Sequence, residues 1–187
     1  VVVLAGGTFA TGPSAVNANP TIDIGNASDY GTINGFAELT LAGTADADAN
    51  AYINMADRTN MFACLNLNGG RLTANYFSKA NRANSVGLVN FNGGTFRARQ
   101  AGNLFSTGAN TPTAVNIYAG GATFEVTNNL ACAIAVPLRA PAGQGVTGLS
   151  VAPTPGYIGP PMVTLAGGGG TGARSEERRV GKECRSR

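Results

Sequence analysis

Histidine and tryptophan are absent from this 187-residue chain, and charged residues make up only 12% of it. Without histidine there is no Ser-His-Asp or Cys-His catalytic arrangement and no imidazole-based zinc or iron site. The three cysteines, Cys64, Cys132 and Cys184, show no Cys-x-x-Cys spacing, so neither a redox pair nor a thiolate metal cluster is indicated. Long apolar runs are missing as well. The longest, Leu130 to Leu138, contains Pro137 and falls well short of the ~20 residues a membrane helix needs.

The formal charge of +3 is also unevenly placed. Residues Arg174 to Arg187 hold six of the thirteen bases and three of the ten acids, which leaves seven of each in the rest of the chain. A basic footprint for nucleic acid or an anionic membrane is therefore missing outside this tail. The tail resembles, codon for codon, the translation of a short-read sequencing adapter. Like a fusion scar it is set aside from fold reasoning, and it is expected to be disordered or loosely attached. The reading frame is then expected to be cut near Ala173. The strand-like start at Val1 points to a cut N-terminus too.

Present in abundance are glycine, 27 residues, and asparagine, 19 residues. A chain rich in turn residues and β-formers and poor in helix formers reads as all-β. One motif recurs: Leu-Asn-Leu-Asn-Gly-Gly-Arg-Leu at 65–72 and Val-Asn-Phe-Asn-Gly-Gly-Thr-Phe at 89–96. A further copy runs from Val115 to Phe124, and Val1 to Phe9 is a degenerate one whose Gly6-Gly7-Thr8-Phe9 repeats Gly93 to Phe96. Two other strand-like pieces precede the good copies, Ile22-Asp23-Ile24 and Glu38-Leu39-Thr40-Leu41, and Thr11 to Pro20 reads as a loop. The turn glycines Gly43, Gly69, Gly93 and Gly120 lie 26, 24 and 27 residues apart. A second motif sits between them, Asn75-Tyr76-Phe77-Ser78 and Asn103-Leu104-Phe105-Ser106.

A period in the mid-twenties with strands and no helix is the signature of a parallel β-helix, a solenoid. One rung cannot bury its inner face alone, but rungs stacked ~4.8 Å apart share a continuous core. Leu65, Leu67 and Leu72 are expected to stack on Val89, Phe91 and Phe96, and those on Ile117 and Phe124. Asn66, Asn90 and Asn116 are expected to form a column of interlinked amides. The double glycine makes the corner, where φ > 0 is needed. A β-sandwich or propeller is the alternative, but the irregular segments Ser78 to Val86 and Ser106 to Thr113 suit solenoid corners better than hairpin turns.

The Asn-Gly-Gly motif with its following Asn-x-Phe-Ser resembles the autotransporter-associated β-strand repeat of bacterial surface proteins. The resemblance covers residues 1–136. It implies a truncated β-helix within a secreted or surface-displayed protein, working as a non-enzymatic stalk or passenger region. The single Gly43 and the long gap from Gly7 leave the rung register before residue 60 open. From Pro137 the composition shifts, with six of the nine prolines. Residues 140–173 resemble a second Gly/Pro-rich β module of similar surface proteins, truncated where the 174–187 tail begins.

Candidate chemistry is thin, and catalytic residues, cofactors and metals are all expected to be none. Asp46-Ala47-Asp48 with Asp57 is the one acidic cluster, read as a solvated loop against a Ca²⁺ site. Arg97 and Arg99 share a strand face, with Arg71 expected at the position equivalent to Thr95. They read as ordinary exposed arginines, against a patch for acidic glycans. Phe62, Tyr76, Phe77 and Phe105 read as core and corner packing rather than a sugar platform. Cys64 and Cys132 are expected to stay unbridged, since two rungs of offset exceed the ~7 Å Cα limit. Gly167 to Gly170 lacks the Lys-Ser/Thr and the helix of a phosphate loop.

The expected partners are an extracellular glycan or host protein, met by corner loops such as Thr44 to Asn60 or Ser78 to Val86. No nucleic acid and no membrane insertion are expected. The fragment should be a monomer unless uncapped edges aggregate. An adhesin, or the non-catalytic part of a carbohydrate-active β-helix enzyme, are the rival readings.

Overall fold

A computed structural model of the chain describes residues 1–11, 22–26 and 34–141. Nearly all of the Gly/Pro-rich module of residues 140–173, the tail of residues 174–187 and nearly all of the Thr11 to Pro20 loop lie outside the described residues.

Alternation of apolar and polar residues drives the architecture. Strands β1 (Val2–Leu4), β2 (Thr8–Ala10), β3 (Ile22–Ile24), β4 (Gly35–Asp48), β5 (Ile53–Met55), β6 (Met61–Ala74) and β7 (Phe77–Lys79) open the chain. They are followed by β8 (Val86–Phe91), β9 (Gly94–Ala98), β10 (Gly102–Asn103), β11 (Ala114–Ile117), β12 (Ala122–Val126), β13 (Cys132–Ala133) and β14 (Leu138–Arg139). Every pairing among them is parallel. Parallel neighbours joined by long returns, one of which carries a single 3-10 turn at Gly108–Asn110, wind into a β-solenoid of about four turns.

Three columns of strands build it. The first stacks β1, β4, β6, β8, β11 and β14. The second stacks β2, the ends of β4 and β6, then β9 and β12. The third stacks β3, β5 and β7, and Phe77 continues it by a bridge to Phe105. The register follows the repeat: Leu65 pairs with Val89, Leu67 with Phe91 and Leu72 with Phe96, and Ile117 and Phe124 continue the last two. Before residue 60 the spacing is less even, Val2 pairing with Leu39 and Ile22 with Ile53. Gly35 to Gly43 pairs without a break with Met61 to Gly69, and a shift follows between Gly43 and Asp46.

The inward residues make one core along the axis. Leu41, Leu65, Leu67, Leu72, Val89, Phe91, Phe96, Phe77 and Phe105 have no solvent exposure. Each such side chain contributes about 1.5–3 kcal/mol by burial. Phe77 binds the columns together: its ring centroid lies 4.4 Å from that of Phe96 and 5.1 Å from that of Phe105. At the corner between the first two columns, Gly69 and Gly70 adopt φ of 115° and 67°. A Cβ on Gly70 would sit 2.5 Å from the Ala45 carbonyl oxygen, so both the dihedral and the close approach require glycine.

One expectation is corrected. Thr44 to Asn60 is not a loop: Asp46 to Asp48 end β4, and Ile53 to Met55 form β5. The physical reason is the alternation Ala45-Asp46-Ala47-Asp48-Ala49, which buries all three alanines at 0–1% exposure and turns both acids outward. The open segments lie at the third corner instead, at 80–85 and 106–113.

Candidate functional site

On the outer side of the first column, Glu38, Thr40, Asn66 and Asn90 alternate with the inward leucines and valine. A polar ladder runs along the axis through them. Asn116 Nδ2 donates to Asn90 Oδ1 at 2.9 Å, and Asn90 Nδ2 donates to Asn66 Oδ1 at 2.8 Å. Asn66 Nδ2 then donates to Glu38 Oε1 at 2.6 Å and to Thr40 Oγ1 at 3.1 Å, while Thr40 Oγ1 donates to Glu38 Oε1 at 2.7 Å. All the amides therefore point the same way, toward a carboxylate acceptor. Cys64 lies within the ladder, its Sγ 3.2 Å from Asn90 Nδ2 and 3.3 Å from Asn66 Oδ1. Burial pushes its thiol up to about 11, against a smaller lowering by Asn90. A thiol so protonated is a poor nucleophile. Cys64 and Cys132 are both free.

The outer side of the second column carries the charges. Arg71 pairs in register with Thr95, as its spacing predicts, and Phe96 and Ala98 point inward between Thr95, Arg97 and Arg99. None of the three arginines forms an open cationic patch. Arg71 ion-pairs with Asp46, Arg99 with Asp48, and Arg97 Nη2 with Glu125 Oε1 at 2.7 Å. The hydrogen bond that Arg71 donates to Asp46 raises Arg71, and the one from Arg97 lowers Glu125. A general acid needs a raised carboxyl; the Arg97 contact moves Glu125 the opposite way.

Asp57 is remote from Asp46 and Asp48, on the third corner. Its Oδ1 takes Arg82 Nη2 at 2.9 Å, and its Oδ2 lies 3.7 Å from Arg58 Nη1. The acidic cluster seen in the sequence is thus split between two faces, and its members face guanidinium groups. Among the described residues, no three Cys, Asp or Glu side chains come together as metal ligands.

The four aromatics divide. Phe77 and Phe105 are core, whereas Phe62 and Tyr76 stand outside in stacks: Phe36 on Phe62 at 5.4 Å, and Tyr52 on Tyr76 at 5.1 Å and 2° from parallel. Rings so stacked turn one face each to the other, and Phe36 remains 57% exposed. Desolvation, and then the neighbouring Tyr76, raise the Tyr52 phenol. Glu38, Thr40, Phe36, Tyr52 and the ion-pair partners Arg58, Arg82 and Glu125 were not singled out from sequence as site residues. A usable signal was the register itself, which places Thr40 one rung above Asn66.

No family model matches this chain, and neither the curated proteins nor the solved structures contain a match to it.

Proposed function

We propose that residues 1–141 are a structural segment, a solenoid stalk of a secreted or surface-displayed bacterial protein. One observation carries this reading. The side chains able to do chemistry are engaged with the neighbouring rungs: amides with amides, arginines with carboxylates, aromatic rings with aromatic rings. Such groups hold successive rungs in register instead of converging on a guest. The bacterial surface assignment rests on the Asn-Gly-Gly repeat and its resemblance to the autotransporter-associated β-strand repeat.

A second reading, an adhesin, is favoured by the third corner. There the exposed residues Asn81 to Asn84 and Thr107 to Asn110 lie on successive rungs. A glycan and matrix-protein array probed with the whole chain separates the two. The stalk reading predicts no saturable binding. Saturable binding that is lost when Arg82 and Asn84 are both changed to alanine would replace it with the adhesin.

A further inference from the structure

Tyr52 and Tyr76 lie 24 residues apart, each directly before a third-column strand, Ile53–Met55 and Phe77–Lys79. The parallel register that pairs Ile53 with Phe77 puts the two tyrosines at one position of successive rungs, and the Ile53 N–H donates to the Tyr76 carbonyl at 3.0 Å. Both phenols turn outward, because Ile53 and Phe77 point into the core. Their rings stack 2° from parallel with centroids 5.1 Å apart, close to the ~4.8 Å between neighbouring strands. Both residues are half-buried, so solvent reaches them. Tyr118 is half-buried too, but no ring stacks on it among the described residues.

We propose that Tyr52 and Tyr76 form an oxidative modification site, where hydrogen peroxide, acting through a haem peroxidase, joins the two phenols into a dityrosine. Each phenol gives one electron to the peroxidase and its hydroxyl proton to solvent, which leaves two phenoxyl radicals. Their unpaired electrons, shared with the ring carbons ortho to oxygen, pair to form one Cε–Cε bond. The hydrogen on each coupled carbon then moves as a proton to the phenol oxygen, and both rings regain aromaticity. The two electrons and two protons reduce one peroxide to two waters, with cleavage of its O–O bond. Two tyrosines are oxidised and one peroxide is reduced.

Proximity selects this pair. Two radicals on separate parts of a chain must first meet, whereas these rings are already held side by side by the rungs that carry them. Rotation about the side-chain bonds of either half-buried ring closes the remaining distance between Cε carbons. The product ties β5 to β7 on the outer side of the third column, clear of the core residues Ile53 and Phe77. It also closes the chain between residues 52 and 76, and so restricts the unfolded state as a disulfide does. The stack is thus a place where two rungs can be joined covalently.

The test is brief treatment of the dilute whole chain with a haem peroxidase and limiting hydrogen peroxide, with the monomer then separated under denaturing conditions. Dityrosine is read by its fluorescence and located by tandem mass spectrometry. Trypsin together with an Asp-specific protease places Tyr52 in Asp48–Ala56, Tyr76 in Leu72–Lys79 and Tyr118 in Gln100–Arg139. In the folded monomer the Tyr52–Tyr76 product should exceed either product of Tyr118 on the order of tenfold, and in urea this preference should vanish. Tyr52→Phe and Tyr76→Phe keep a ring in the stack and should each abolish that product, whereas Tyr118→Phe should leave its yield unchanged. The cross-linked chain should also unfold at a higher urea midpoint than the untreated one. A folded monomer without dityrosine, a yield that Tyr52→Phe does not lower, or the same product distribution with and without urea would each overturn the proposal.

Discussion

At Asn90 one side chain both donates to Asn66 and accepts from Asn116, with only 8% of the residue exposed. Replacing it by alanine leaves the Asn116 amide donor without this acceptor and the Asn66 oxygen with only the weakly donating Cys64 thiol. Unsatisfied buried groups cost roughly 1–3 kcal/mol, so Asn90→Ala should lower the urea midpoint clearly. Asn116→Ala, at the more exposed end of the ladder, should cost less; equal losses would mean that the ladder is not continuous. Cys64, in the same ladder, gives a pH signature. Its folded value lies above the unfolded one, so its contribution is complete below roughly pH 8.5 and is lost as pH rises through the folded value of about 11. Stability should decline across that alkaline window, and Cys64→Ala should flatten the decline. An unchanged slope in the variant would contradict the assignment.

The strands show which features the sequence made legible. Column partners such as Leu65 and Val89, and the bridge from Phe77 to Phe105, follow from repeat spacing, because an in-register parallel stack maps sequence period directly onto contact. Asp46 and Asp48 were misplaced for two physical reasons. Alanine is a weak strand former, so Ala-Asp alternation does not advertise a strand. The register also shifts after Gly43, so Asp46 meets Arg71 after 25 residues whereas Gly43 meets Gly69 after 26. Pairing of Arg71 with Asp46 and of Arg99 with Asp48 depends on that shift and could not be read from a uniform period. At the next corner, a Cβ on Gly94 would lie 2.6 Å from Leu67 Cβ and 2.8 Å from the Leu67 carbonyl oxygen. Backbone cannot swing aside as a side chain can. Gly94→Ala should therefore cost about 1–3 kcal/mol in thermal or urea unfolding, as overpacking does; a neutral result would show that β6 and β9 are less closely set.

For the whole unit Val1–Pro141, the two ends differ from the middle. Val1, Val2, Val3 and Phe9 are 45–75% exposed at one end, and Leu138 is 43% exposed at the other. An open parallel edge is a template for further strands, so the chain should self-associate as concentration rises. Val3 shares a register position with the outward Thr40, and Val3→Lys should reduce that association in sedimentation velocity without disturbing the core. A wild-type chain that stays monomeric at high concentration would contradict this.

The central claim is that rungs are interchangeable units of a scaffold, each held by its neighbours. It is tested most directly by excising residues 64–87, which joins Ala63 to Leu88 at a position already in register with Cys64. Leu39 then meets Val89, Leu41 meets Phe91 and Ala47 meets Phe96. The measurement is urea unfolding of the shortened chain beside the intact one, followed by far-ultraviolet circular dichroism. The account predicts a folded β protein that unfolds cooperatively, with a lower midpoint and a smaller m value in proportion to the surface removed. Loss of the β spectrum in the absence of urea would contradict it.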